Sequence, residues 1–271
     1  MEMETETERR ATEGPSTEGP RPPIELMGVR VCPWTMEETL AEIARRLDQG
    51  KFTQHGVVNA AKVVNMGRDP ALRDAVRSCD MINIDGMSLV VAGRLLGHGV
   101  PQRVAGIDLF LRLVALAETR GDAVYFLGAE EAVVARAVDA LKARHPRLHV
   151  AGWHHGYFWD EEEAAVERIH GSGAELLFVA ISSPRKEIFI NRWRNRLGVA
   201  FAMGVGGSFD VVAGKTRRAP VWMQRCGLEW LYRVLQEPRR LWRRYLVTNT
   251  LFVWMFLKEL WKKIPELWKK I

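Results

Sequence analysis

The sequence predicts an α/β fold with a largely parallel sheet covered on both faces by helices. Two observations predict it. Short apolar runs recur along the body of the 271-residue chain, and stretches of helical period separate them. Strands and helices that alternate in this way build parallel sheets, because a parallel neighbour is reached only by a long crossover. A third observation bears on use: the residues just past the apolar runs are glycine-rich and polar, where a packed core would show neither.

Taken in order, GVRV (28–31) and HGVVN (55–59) are strand candidates, and MINID (81–85), AVYFLG (123–128), ELLFVAI (175–181) and VAFAMGVGG (199–207) are stronger ones. Between them lie helices such as EEAVVARAVDALKARHP. There Val133, Ala137, Ala140 and Leu141 share a face, and His145-Pro146 ends the helix. The leader METETERRATEGPSTEGPRPP has no apolar core of a signal peptide, and its Glu, Thr, Pro and Gly content reads as disorder. The expected division is a leader (1–25), a core (26–216) and a helical C-terminal appendage (217–271).

Composition narrows the function. Cys32, Cys79 and Cys226 show neither a CxxC pair nor metal spacing, which suits a reducing compartment. No run supplies the ~18–20 apolar residues of a membrane span. From Arg217 onward there are thirteen Lys/Arg against four Asp/Glu, and six of the ten tryptophans. That net charge of +9 leaves the first 216 residues at −3 against the chain's +6. A near-neutral body with a basic, aromatic end implies a polyanionic partner: nucleic acid, an anionic membrane or a phosphorylated substrate.

In open α/β sheets, ligands bind outside the carboxyl ends of the strands. The positions there are Asn59, Asp85-Gly86, Gly128, Ser182-Ser183-Pro184 and Gly204 to Asp210. Ordinary turn chemistry explains any one of them; together they favour a crevice. GVGGSFD is not GxGxxG, and no acidic residue follows at the spacing that reads a dinucleotide ribose. No Walker motif and no DxD pair occurs. WDEEE (159–163) lies at a helix start and reads as solvated surface, and His154-His155 lacks spaced metal partners.

Asp85 ends an apolar run, where a partly dry carboxylate can act as a general base. On residues alone, capping of the next helix (87–96) is the commoner role. If a diphosphate leaves without a metal, arginines must carry its charge. Arg217-Arg218, Arg233, Arg239-Arg240 and Arg243-Arg244 are available, with Arg233, Arg240, Arg243 and Arg244 at helical spacing. A solvated basic face is the competing reading.

The runs VVNAAKVV, CDMINIDGMSLV, RVAGIDLF, LLFVAISSPRKEIFI and above all MGVGGSFDVVAGKTRRAPVWMQRCGLEWLYRVLQEPRRLWRRY together resemble the WecG/TagA/CpsF glycosyltransferases, from about Gly28 to Tyr245. The resemblance implies a Rossmann-like core and metal-free, inverting transfer from a UDP-sugar. The acceptor would be a polyprenyl-diphosphate-linked saccharide at the cytoplasmic membrane face. It implies Asp85 as catalytic base and Asn59 and Arg103 at the substrate or acceptor. It implies Gly206 and Asp210 at the nucleotide, where Gly128 at its strand end is also expected. It implies Arg233, Arg240 and Arg243 at the diphosphate. Two departures stand out. Val57 replaces a threonine of the T-x-N pattern, and Lys186 replaces the glutamine of G-x-P-K-Q-E, making Lys186 a candidate sugar or acceptor contact. The donor sugar stays open. No metal or other cofactor is expected, and homo-oligomers are permitted. A non-catalytic nucleotide-sugar-binding regulator and a nucleic-acid-binding protein are the alternatives; no nucleic-acid-binding motif is present.

The chain ends ELWKKIPELWKKI. On a helix, Leu257, Leu260, Trp261, Ile264, Leu267, Trp268 and Ile271 form one apolar stripe bordered by Lys258, Lys262, Lys263, Lys269 and Lys270, with a kink expected at Pro265. Trp and Lys beside an apolar face suit an anionic membrane interface, so residues 257–271 are expected to hold the protein peripherally on the inner face of the membrane. Packing on the protein's own core, or a short coiled coil, competes with that reading.

Overall fold

The computed structural model describes residues 20–268, apart from the side chains of Arg240 and residues 264–268. Residues 1–19 of the leader expected at 1–25 therefore lie outside the described residues, while Ile24 and Glu25 already belong to a strand; of the expected stripe, Ile271 and the side chains of Ile264, Leu267 and Trp268 lie outside them.

Six strands form one sheet in the order β4-β3-β8-β7-β5-β6. They are β3 (Thr53–Val58), β4 (Met81–Ile84), β5 (Val124–Gly128), β6 (Val150–His154), β7 (Leu176–Ala180) and β8 (Phe201–Gly204). Every neighbouring pair is parallel, as the alternation of runs and helices requires. Strands β5 and β7 are buried at every residue, which is why they read as unbroken apolar runs. A separate hairpin, β1 (Ile24–Leu26) with β2 (Val29–Val31), precedes the sheet. Its two-residue turn puts both Met27 (φ 52°) and Gly28 (φ 77°) in the left-handed region, the turn that matches strand twist.

The helices are α1 (Met36–Asp48), α2 (Ala60–Met66), α3 (Pro70–Arg77), α4 (Met87–Leu95), α5 (Gly106–Arg120), α6 (Glu131–Arg144), α7 (Glu162–Gly171), α8 (Arg185–Trp193), α9 (Ser208–Val212), α10 (Val221–Arg225), α11 (Glu229–Gln236) and α12 (Pro238–Trp268). Local signals start several of them. Thr35 and Glu38 close a capping box on α1, and Asp69 caps α3 ahead of Pro70. One face of the sheet carries Phe110, Phe126, Phe178 and Phe209, with Phe110 edge-on to Phe178 at 4.8 Å between ring centres. The opposite face packs Leu127, Leu177 and Val179 under Phe189 and Ile190 of α8.

Helix α12 has two apolar sides. Leu241, Thr248 and Phe252 are buried, at a spacing that puts them on one face, and the helix packs along α2. The Thr248 hydroxyl donates to the Arg244 carbonyl at 2.9 Å, so its burial leaves no bond unmade. Leu251, Met255, Phe256 and Leu260 lie against the same core cluster. The other side exposes Trp242, Leu246, Val253, Trp254, Leu257 and Trp261. The stripe expected as one face is thus divided: Leu260 packs inward while Leu257 and Trp261 face solvent. The helix continues through Pro265 to Trp268. No helix among the described residues is long and apolar enough to cross a membrane.

Candidate active site

The site forms where β3, β4 and β8 end. Asp85 follows β4 directly, and its backbone N–H donates to the Val58 carbonyl of β3 at 2.9 Å. The next helix is capped by Gly86, which has no side chain to offer. The Asp85 carboxylate turns instead to the start of α5, where Oδ1 accepts the Gly106 N–H at 3.3 Å. A Cβ on Gly106 would stand 3.6 Å from Val57, 3.8 Å from the Asp85 carboxylate and 3.8 Å from Met203. The head of α5 therefore spans all three strand ends. Burial pushes the Asp85 carboxyl up to about 6; Arg103, the Gly106 N–H and Arg233 pull it down, and Glu229 pushes it up. A carboxyl poised there is ionised at neutral pH yet basic enough to accept a proton.

Arg103 and Arg218 surround one carboxylate of α11. Arg103 donates to Glu229 at 3.0 Å, and Arg218 Nε stands 3.8 Å from the other Glu229 oxygen. Arg218 also grips Asp108 with both terminal nitrogens, at 2.5 and 2.8 Å. Asp108 lies two residues beyond Gly106, so the charges run in a chain from Arg103 through Glu229 and Arg218 back to the helix that touches Asp85.

Beside this chain opens a cavity of about 110 Å³, whose lining includes Gly207, Asp210, Arg217, Arg218, Glu229, Arg233 and Arg244. It is smaller than the ~300–1,000 Å³ of a pocket enclosing a whole ligand. Asp85 is not on its wall; Glu229 is, and connects the two through Arg103. Gly206 adopts φ +55° with open space where a Cβ would stand, so its backbone is accessible to a ligand as well as conformationally committed to glycine. Asp210 lies in the first turn of α9, and Lys215 bonds Glu130 at 2.9 Å while standing 3.8 Å from Asp210.

Other expected site residues behave differently. Asn59 caps α2, its side chain accepting the Lys62 N–H at 3.0 Å. Gly128 (φ +124°) is required by the sheet, since a Cβ would fall 2.5 Å from the Ala180 carbonyl oxygen; this packing by itself accounts for the glycine. Arg243 is exposed and absent from the cavity lining, where its neighbour Arg244 stands. The Arg240 side chain lies outside the described residues.

Lys186 is a correction. The residue is 7% exposed and so is not a free cation in the crevice. Lys186 and Lys62 both reach Glu187 Oε1 at 2.7 Å, and the Lys186 stem fills the space over Gly204. Burial pushes Lys186 down to about 8, with Lys62 adding to the shift. Burial pushes Glu187 up, but the two ammonium groups more than reverse this and take it to about 2. Asp108 and Glu229 are the site residues that sequence reasoning missed. Asp108 was within reach, as the second charged position of R-x-x-G-x-D-L; Glu229 pairs with a residue 126 positions away and gave no local sign.

An open parallel sheet, a poised carboxylate at a strand end and a cavity walled by guanidinium groups put a candidate base beside an anion-attracting surface. Residues 24–265 match the model of the "Glycosyl transferase WecG/TagA/CpsF family". The chain belongs to that family and is a glycosyltransferase. It is similar to an N-acetylglucosaminyldiphosphoundecaprenol N-acetyl-beta-D-mannosaminyltransferase of Bacillus spizizenii, 36% identical over 200 residues that cover 74% of this chain and 77% of the relative. The protein of the same name from Bacillus subtilis is 35% identical over 173 residues, covering 64% of this chain and 67% of the relative.

Proposed function

We propose that this enzyme moves an N-acetylhexosaminyl group from a UDP-sugar, with inversion and without a metal, onto a polyprenyl-diphosphate-linked saccharide in cell-surface polysaccharide synthesis. The observation that carries the reading is Asp85: a carboxyl at a strand end, pushed up to about 6 by burial and held by one backbone N–H. The relatives' names supply the transferred sugar to try first, N-acetylmannosamine, and the acceptor class, an undecaprenyl-diphosphate-linked N-acetylglucosamine.

In this mechanism an acceptor hydroxyl attacks the anomeric carbon from the face opposite the leaving UDP. Asp85 takes the hydroxyl proton as the bond forms, a contribution typically of about 10²–10⁴-fold. Arg217, Arg218, Arg233 and Arg244 on the cavity wall stabilise the charge that grows on the departing diphosphate, as fixed donors do without reorganising. Asp210 and the Gly204 to Gly207 backbone hold the uridine. The positive charge that offsets the diphosphate is assigned to these arginines.

The acceptor's polyprenyl chain lies in a bilayer. The exposed side of α12, from Trp242 to Trp261 with Lys258 stacked 5.4 Å from the Trp254 ring, suits the headgroup layer of an anionic membrane. Attachment through that side would keep the enzyme peripheral at the inner face, with its arginine-lined cavity beside the lipid diphosphate.

The test is UDP release from a panel of UDP-sugars, led by UDP-N-acetylmannosamine, with and without an undecaprenyl-diphosphate-linked N-acetylglucosamine. Acceptor-dependent release that survives EDTA and yields the inverted anomer is expected. Release abolished by EDTA and restored by Mg²⁺ or Mn²⁺ would overturn the arginine assignment, and failure with every donor would overturn the reaction.

A further inference from the structure

Asp85 is a half-buried carboxylate with a guanidinium nearby, and such a pair would ordinarily close into a salt bridge. Here it does not. Among the described residues no Lys, Arg or His bonds the Asp85 side chain; its one hydrogen bond comes from the Gly106 N–H. Arg103, the cation that acts on it most strongly, is turned to Glu229 at 3.0 Å. Arg103 and Glu229 are both well covered, with side-chain exposures of 14% and 17%. This pair is therefore screened far less than a surface ion pair.

We propose that Glu229 is a positioning residue: it takes the Arg103 guanidinium for itself, so that Asp85 keeps an unpaired carboxylate for the acceptor hydroxyl. The inference rests on the proposed role of Asp85 as base. Arg218 fixes Glu229 from its other side and is itself clamped by Asp108, so the Glu229 carboxylate is held between two guanidinium groups. A catalytic base paired to arginine would be a weak one, since the cation favours its ionised form and competes for its lone pairs. Glu229 belongs to α11, so the arrangement exists only while that helix is seated on the core.

The groups that face Asp85 are Arg103 from the segment before α5, the Gly106 N–H of α5, Glu229 and Arg233 of α11, and Arg218 from the segment before α10, which interacts with it electrostatically. Asp85 must be ionised to accept a proton, so activity falls as pH drops through its pKa, and the acidic limb of kcat/KM reports that value.

The experiment compares the acidic limb in four full-length proteins: wild type, Glu229→Gln, Glu229→Asp and Arg103→Gln, with UDP-sugar binding measured for each. In Glu229→Gln the freed Arg103 turns to Asp85, and the limb moves about one pH unit lower with a fall of at least about tenfold in plateau turnover. Glu229→Asp keeps the charge and should leave the limb at the wild-type position. Arg103→Gln removes the cation and should move it higher, which preserves the test if Glu229→Gln does not fold. A limb that stays fixed in Glu229→Gln while turnover falls would reduce Glu229 to a structural clasp and overturn the inference. A limb unmoved in Arg103→Gln would do the same. Asp85→Asn with near-normal turnover would instead sink the reading on which the inference rests.

Discussion

The Asp85 carboxylate meets the protein through one backbone donor, the Gly106 N–H at 3.3 Å, at the head of α5. That N–H belongs to a helix start, where donors point outward and favour negative charge. It is too little to offset the burial that raises the carboxyl to about 6. The ionised form is therefore available at neutral pH but is held at a cost in stability.

That cost has a pH signature. An Asp carboxyl raised from its ordinary 3.8 to about 6 binds its proton more tightly in the folded than in the unfolded chain. Stability accordingly declines as pH rises from about 4 to about 6, and the penalty is complete above that window. Asp85→Asn keeps an acceptor for the Gly106 N–H and removes the charge. Denaturation at pH 7.5 should show a gain of about 1–3 kcal/mol, and the gain should vanish below pH 4. Equal stabilities at pH 7.5 would mean that the carboxylate is better solvated than its surroundings indicate.

The buried trio gives a second contrast. Lys62 and Lys186 share one oxygen of Glu187, so the cluster carries an extra positive charge. Glu187→Gln leaves two buried ammonium groups unpaired and should cost about 3–5 kcal/mol. Lys186→Gln leaves the Lys62–Glu187 pair intact and should change stability by less than about 1 kcal/mol, because the loss of one bond offsets the relief of like-charge crowding. Urea denaturation of both variants at pH 7 decides it; equal losses would show that both lysines are needed to hold Glu187.

The exposed side of α12 makes a third. Trp254→Glu, Leu257→Glu and Trp261→Glu together place charge on solvent-facing positions and disturb no buried contact of the helix. Co-sedimentation with vesicles containing anionic lipid should fall at least about tenfold while the melting temperature holds, and wild-type binding should weaken with salt. Deleting residues 257–271 is the blunter test, since it also removes Leu260 from the core cluster and the Lys263 bond to the Leu96 carbonyl. If the triple variant still sediments like wild type, this side of the helix is not the attachment surface.

The strands that read clearly from sequence are those buried on both sides, such as LLFVA in β7, where a continuous apolar run leaves no alternative. Strand β6, VAGWH, escaped notice because it is the sheet's edge and is partly exposed along its length. Asp85 was visible as a strand-end carboxylate, but sequence could not separate a base from a helix cap; the glycine that follows it takes the capping position, which removes the cap reading. The steric need for glycine at 128 was not legible, because φ and crowding by Ala180 cannot be read from composition. Lys186 read as a sugar or acceptor contact because its burial depends on Glu187 being shared with Lys62, 125 positions from that glutamate. Residues acting through neighbours in sequence were legible; those paired across the fold were not.

The central claim is that Asp85 takes the proton from the attacking hydroxyl. Single-turnover transfer from a saturating UDP-sugar to the lipid-linked acceptor, in wild type and in Asp85→Asn with UDP-sugar affinity measured alongside, tests it most directly. The account predicts a rate at least about 10²-fold lower with an unchanged dissociation constant and an intact fold. A variant that transfers at close to the wild-type rate would contradict it.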